Sequence, residues 1–122
     1  MATWPAEQFQ AITRHREIQI QPFGGSDAPV SSTTTWMVAV DGALYARAYR
    51  GQGSRWYQRA LSRGLGRISA GEQRYDVSFI RMDQSLNKEI DSAYRKKYRF
   101  RLHLRTTLSA TMQAATVRID PR

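Results

Sequence analysis

Arg47-Ala-Tyr49-Arg50-Gly51-Gln-Gly53-Ser54-Arg55-Trp56-Tyr57-Gln-Arg59-Ala-Leu61 runs from an alternating segment through a basic, glycine-containing loop into an amphipathic helix. Ser54 stands where a helix cap is needed, Trp56, Tyr57, Ala60 and Leu61 recur at helical spacing, and Gly64 is placed to end the helix in a left-handed cap. Unpaired N–H groups at a helix start, two glycines that admit a close backbone approach, and the guanidinium groups of Arg47, Arg50 and Arg55 suit this junction to an anion. A phosphate-bearing ligand is the sharp reading, and a turn with solvated arginines is the bland one. No Walker or dinucleotide fingerprint decides between them.

On either side of this junction the sequence spells hairpins. Ser31 to Val40 is rich in β-branched residues, Asp41-Gly42 is a two-residue turn signal, and Ala43 to Tyr49 alternates, which predicts one hairpin. Gly66 to Ala70, the turn Gly71-Glu72, and Arg74 to Ile80 predict a second, with Tyr75, Val77 and Phe79 on one face. Upstream, Thr3 caps a short first helix that carries Ala6, Phe9 and Ile12 up to about Arg14. Glu17 to Gln21 reads as a strand, followed by turn chemistry from Pro22 to Pro29. Downstream, Asp83 or Ser85 starts a longer helix through Leu86, Ile90, Ala93, Tyr94 and Tyr98, and Ala114 to Ile119 returns as a strand. Residues 102–112 carry no clear pattern. Two antiparallel hairpins separated by a helix predict an α+β chain built on a small barrel, a single domain over residues 1–122.

A chain of 122 residues, 41% hydrophobic, holds one core and not two. With no cysteine, disulfides, thiolate zinc sites and cysteine nucleophiles are excluded. No signal-peptide pattern or spanning apolar run is visible, so a soluble, cytoplasmic protein without membrane association is expected. Nineteen Lys and Arg against ten Asp and Glu leave a charge of +9, which favours anionic partners without choosing among them. The excess is densest from Arg95 to Arg105, where the alternation after Tyr98 resembles a strand or extended edge. Interleaved aromatics could stack on bases, yet no nucleic-acid recognition signature accompanies them, so only weak binding is expected there.

Candidate ligand contacts come in layers. Hydroxyls at Ser31, Ser32, Thr33, Thr34 and Thr35 precede Trp36, and on a half-buried strand either Thr33 and Thr35 or Ser32 and Thr34 share a face. Trp36, Tyr49, Trp56 and Tyr57 suit either an aromatic wall or plain core. The binding set is taken as Thr33, Thr35, Trp36, Arg47, Tyr49, Arg50, Ser54, Arg55 and Trp56. His15 and His103 have no paired ligand spacing, so no metal is expected. Ser54 and Ser62 lack a nucleophile elbow, and Asp76, Asp83, Glu89 and Asp91 fit a hairpin face and a solvated helix better than an acid–base pair.

The run Trp36-Met-Val-Ala-Val-Asp41-Gly42-Ala-Leu-Tyr45, then Arg47 to Gly51, Trp56 to Leu61, Gly64, Ile68 to Gly71 and Val77 resembles an uncharacterised bacterial domain-of-unknown-function family, DUF2255. Asp91-Ser-Ala-Tyr94-Arg95-Lys-Lys97-Tyr98 matches its penultimate helix. The pattern is also similar to deazaflavin-dependent nitroreductases and, more distantly, to the split barrels of pyridoxamine-phosphate oxidases. This resemblance implies a six-stranded antiparallel split β-barrel, commonly a homodimer, with FMN or a deazaflavin in a groove beside the dimer interface. Deazaflavin enzymes usually hold cofactor phosphate with a basic loop between the first two strands, whereas Phe23 to Pro29 contains no Lys or Arg. Two functional classes follow: a flavin- or deazaflavin-dependent oxidoreductase that borrows its reactive group, or a non-catalytic module, with no cofactor, for a phosphorylated small molecule or nucleic acid.

Overall fold

The computed structural model describes residues 3–23 and 32–122. Its strands are β1 (Glu17–Pro22), β2 (Thr33–Trp36), β3 (Val38–Val40), β4 (Ala43–Arg47), β5 (Leu65–Ala70), β6 (Gln73–Arg81) and β7 (Thr116–Pro121). Its helices are α1 (Ala6–Thr13), α2 (Arg55–Arg63), α3 (Asn87–Lys97), α4 (Leu104–Thr107) and α5 (Ala110–Gln113), with a 3₁₀ turn at Gly51–Gly53. All pairings are antiparallel, in the order β2-β1-β5-β6-β7-β4-β3. The outermost members of that order, β2 and β3, are separated in the chain by Met37 alone, and β2 also packs against β4. The sheet therefore bends back on itself into a nearly closed barrel.

Met37 accounts for the seventh strand. The sequence predicts one strand through residues 31–40, but at fully buried Met37 the backbone leaves both ladders. Its polar groups must then find other partners, because an unpaired buried amide is costly. The Tyr98 hydroxyl accepts from Met37 N–H at 3.2 Å, and Lys97 Nζ donates to the Met37 carbonyl at 3.0 Å. The single Tyr98 hydroxyl proton has two acceptors in reach, the Arg16 carbonyl at 2.5 Å and the Met37 carbonyl at 2.9 Å. One side chain from the end of α3 thus stitches β1's entry to the bend.

Turn chemistry follows the sequence closely. Asp41 and Gly42 both take positive φ, 50° and 81°, as a type I′ hairpin requires, and Gly64 ends α2 with φ 74° and its N–H on the Ala60 carbonyl. Other boundaries move. α1 begins after Pro5 rather than at a Thr3 cap. Asp83 does not start α3, because its carboxylate accepts the Ser85 N–H and hydroxyl in a local turn, and the helix begins at Asn87. The alternating run after Tyr98 is no strand: it turns into α4, leaving Phe100 and Leu102 89% and 91% exposed, since the sheet order leaves no place for an eighth member there.

The main core gathers Ile18, Ile20, Leu44, Ile68, Val77, Val117 and Ile119 inside the barrel, with Ile12 of α1 and Trp56, Tyr57 and Ala60 of α2 packed on it. A second cluster, Val38, Tyr45, Ile90, Tyr94 and Tyr98, fastens α3 to the outer side of β3 and β4. No described helix is long and apolar enough to cross a membrane.

Candidate functional site

Arg47 is the last residue of β4, paired with Thr116 of β7, and its side chain is completely buried. A lone cation in such a place would be prohibitively unstable, so the surrounding elements supply partners. Nη1 donates to Asp91 Oδ1 of α3 at 2.5 Å and to the Thr107 carbonyl of α4 at 3.0 Å, and Nε donates to Thr116 Oγ1 at 3.2 Å. Asp91 Oδ2 accepts from Gln113 Nε2 of α5 at 2.9 Å, and Thr116 Oγ1 donates to the Gln113 carbonyl at 2.8 Å. Five elements therefore converge on one guanidinium, yet buried Nη2 has no hydrogen-bond partner.

Tyr94 of α3 lies against this group, its ring centroid 5.3 Å from the guanidinium carbon. The Tyr94 hydroxyl is also buried and makes no hydrogen bond of normal geometry, though the Arg47 backbone lies close to it. Burial pushes the phenol well above its usual pKa, against a smaller opposing pull from Arg47, so Tyr94 stays neutral.

Above this pair opens a cavity of about 200 Å³, lined by Trp36, Arg47, Tyr49, Tyr94, His103 and Met112, with Glu17, Thr34, Thr35 and Thr107 completing its walls. Trp36 stacks on Tyr98 with centroids 4.0 Å apart and planes 3° from parallel, while Tyr49 meets His103 edge to face at 5.8 Å. The walls are thus rigid on one side and exposed on the other, where Tyr49 is 54% accessible.

Four of the nine sequence candidates, Thr35, Trp36, Arg47 and Tyr49, come together here. The other five lie elsewhere. Trp56 is core, edge-on to Tyr57 at 6.3 Å. Ser54 occupies the N-cap position of α2 but makes no side-chain cap bond. Arg55 shares a surface cleft with Gln58, Arg59 and Ser62, Arg50 is exposed, and Thr33 is an exposed strand residue. Strict alternation does not sort the β2 hydroxyls, because neighbouring Thr34 and Thr35 both border the cavity. Ser31 and the loop Gly24 to Pro29 fall outside the described residues. Sequence reasoning missed Glu17, Tyr94, His103, Thr107 and Met112. Tyr94 alone carried a signal, as an aromatic on the inner face of a predicted helix. Among the described residues no group of His, Asp and Glu is placed to hold a metal ion.

Residues 8–119 match a family described as an uncharacterised protein conserved in bacteria, DUF2255. The chain belongs to DUF2255. Two solved structures share the fold of this DUF2255 chain. One is a conserved hypothetical protein, Rv2991 from Mycobacterium tuberculosis, 11% identical, with a TM-score of 0.63 over 98% of this chain and 79% of that one. The other is ChuZ from Campylobacter jejuni, 9% identical, with a TM-score of 0.66 over 94% of this chain and 50% of that one, so the DUF2255 chain spans half of ChuZ. At such identities the likeness concerns the fold alone. No curated protein matches the sequence.

Proposed function

We propose that this DUF2255 chain is a ligand-binding barrel that takes a planar aromatic ring into the Trp36–Tyr49–Tyr94 cavity, and that a flavin or deazaflavin is the cofactor class. The observation that carries this reading is the unpartnered Nη2 of a fully buried arginine in the wall of an aromatic-lined cavity. Asp91 already matches the Arg47 charge, so what Nη2 lacks is an acceptor rather than a counter-ion. A second buried anion would leave the group with uncompensated negative charge. A neutral ring carbonyl or ring nitrogen meets the demand, and a phosphate does not. The cavity is also smaller than the roughly 300–1,000 Å³ that encloses a whole drug-sized ligand. The ring would enter and a phosphorylated tail would stay outside, where Arg50 follows Tyr49 and Arg101 and Arg105 flank His103 in sequence.

Bound there, such a cofactor would supply hydride-transfer chemistry. The chain's own contribution would be orientation: Trp36, braced by Tyr98, and Tyr49 hold ring faces, Arg47 donates to the acceptor edge, and neutral Tyr94 donates or accepts beside it. Titration with riboflavin, FMN and a 5-deazaflavin, followed by tryptophan quenching, tests the reading. Saturable binding of all three, weakened by roughly 1–2 kcal/mol in Tyr94→Phe, is expected. No binding, or equal affinity in the variant, would overturn it.

The second reading, a non-catalytic module for a phosphorylated small molecule or nucleic acid, is favoured by the basic segment from Arg95 to Arg105, in which Arg95, Lys96, Arg99, Arg101 and Arg105 are exposed. Duplex binding that survives physiological salt and is lost when Arg95, Lys96, Lys97 and Arg99 become serine would give it precedence. Exposed Tyr49 at the cavity, and exposed Phe100 and Leu102 in the run that leads to cavity-lining His103, further favour a homodimer. Light scattering tests this, a monomer mass at micromolar concentration refuting it.

A further inference from the structure

Lys97, the last residue of α3, serves no part of the ligand cavity. Its Nζ lies 3.0 Å from the Met37 carbonyl oxygen and 3.3 Å from the Met37 thioether sulfur. Among the described residues no carboxylate pairs with it. Two acceptors match the two hydrogens of a neutral amine, whereas the third N–H of an ammonium finds none in the protein. The Tyr98 ring, 5.4 Å from Nζ, offers a cation some compensation, but burial outweighs it and lowers the pKa from 10.5 to about 8. Lys97 also lines an open cleft of about 250 Å³ together with Thr13, Val38, Ala39, Ala93 and Lys96.

We propose that Lys97 is an acylation site for small acyl phosphates. The Nζ lone pair attacks the acyl carbon, the bond from that carbon to the phosphate oxygen breaks, and the nitrogen's proton leaves with the phosphate. An amide results. It keeps one N–H for the Met37 carbonyl, which a neutral imine formed with an aldehyde would lack. Val38, Ala39 and Ala93 offer an apolar seat for a short acyl chain, and exposed Lys96 supplies a cation toward the departing phosphate. Because Lys97 and Tyr98 both secure Met37, and Tyr98 stacks on Trp36, the modification would alter the residue that braces the ligand cavity.

The chain contains three lysines, Lys88, Lys96 and Lys97, so the other two are internal references. Native protein is treated with limiting acetyl phosphate at neutral pH, and each site is quantified by mass spectrometry with fragmentation that separates Lys96 from Lys97. A pKa near 8 leaves roughly a tenth of the amine neutral at pH 7, against well under a thousandth for an ordinary lysine. Acetylation of Lys97 at least about tenfold faster than either reference, with the preference lost in urea, is the expected result. Equal or slower reaction of Lys97, or the same preference in the unfolded chain, would overturn the proposal.

Discussion

Tyr94 and Tyr98 stand one helical turn apart at the end of α3, 0% and 1% exposed, and the same substitution should move stability in opposite directions at the two sites. The Tyr98 hydroxyl accepts the Met37 N–H at 3.2 Å and reaches the Arg16 carbonyl at 2.5 Å. Tyr98→Phe leaves that buried N–H without a partner, at roughly 1–3 kcal/mol, and takes one hydrogen bond from the part-buried Arg16 carbonyl, while Lys97 still serves the Met37 carbonyl. A net loss of about 2–3 kcal/mol is expected. The Tyr94 hydroxyl has no partner to lose, so Tyr94→Phe removes a desolvated dipole and should be neutral or stabilising by about 1 kcal/mol. With roughly 2.1 cal/mol/K of unfolding entropy per residue, 1 kcal/mol corresponds to about 4 °C in Tm for 122 residues. Calorimetry should therefore show Tyr98→Phe melting about 8–12 °C below the parent, and Tyr94→Phe at or up to about 4 °C above it. Equal losses in both variants would refute the reasoning, since ring packing rather than hydroxyl partnership would then set the energetics.

Asp91→Asn should lower stability by about 3–5 kcal/mol in chemical denaturation, because it strands the fully buried Arg47 charge; a loss below about 1 kcal/mol would mean that the pair is solvated. Lys97 should give the protein a distinctive alkaline profile. Its folded pKa is depressed, so between about pH 8 and the unfolded value of 10.5 the unfolded chain binds more protons and stability rises with pH. Lys97→Met should flatten that rise in thermal scans, and parallel profiles for the two proteins would show the amine to be unperturbed. Gly66→Ala would place a methyl carbon 2.6 Å from Phe79 Cε2, 2.7 Å from the Gln21 carbonyl oxygen and 2.8 Å from Pro22 Cα. Two of those atoms are backbone and cannot turn aside, so a loss of at least about 2 kcal/mol is expected on urea unfolding, with an unchanged midpoint as the contrary result.

The elements legible in the sequence were those whose cause is local. Asp41-Gly42 declared its hairpin because few residue pairs tolerate two positive φ values, and Gly64 declared a helix end for the same reason. Met37 declared nothing, since its departure from the ladder depends on a tyrosine sixty-one positions away. The run after Tyr98 misled because Arg and apolar residues alternate there as on a strand, yet the sheet is already complete without it. The candidate site divided along the same line. Arg47 could be singled out as a cation on an alternating strand, but its sequence context pointed its charge to an anion at the following loop or to solvent, and not to a buried ion pair. Its burial arises only where α3, α4, α5 and β7 meet, and the same convergence brings in Tyr94, His103, Thr107 and Met112.

The bend at Met37 also governs how copies of this protein can associate. An open sheet ends in two strands whose free backbone groups are templates for strand addition, the route to edge-to-edge aggregation. Here the two terminal strands of the order, β2 and β3, follow each other across Met37 and each pair on one side only, while the polar backbone of Met37 itself is occupied by Tyr98 and Lys97. Side chains offer another route to self-association, and among the described residues Phe100 and Leu102 are the most exposed large apolar ones. Loosening the Tyr98 clasp would do more than soften the fold, because it would add the freed backbone of Met37 to the strand edges of β2 and β3.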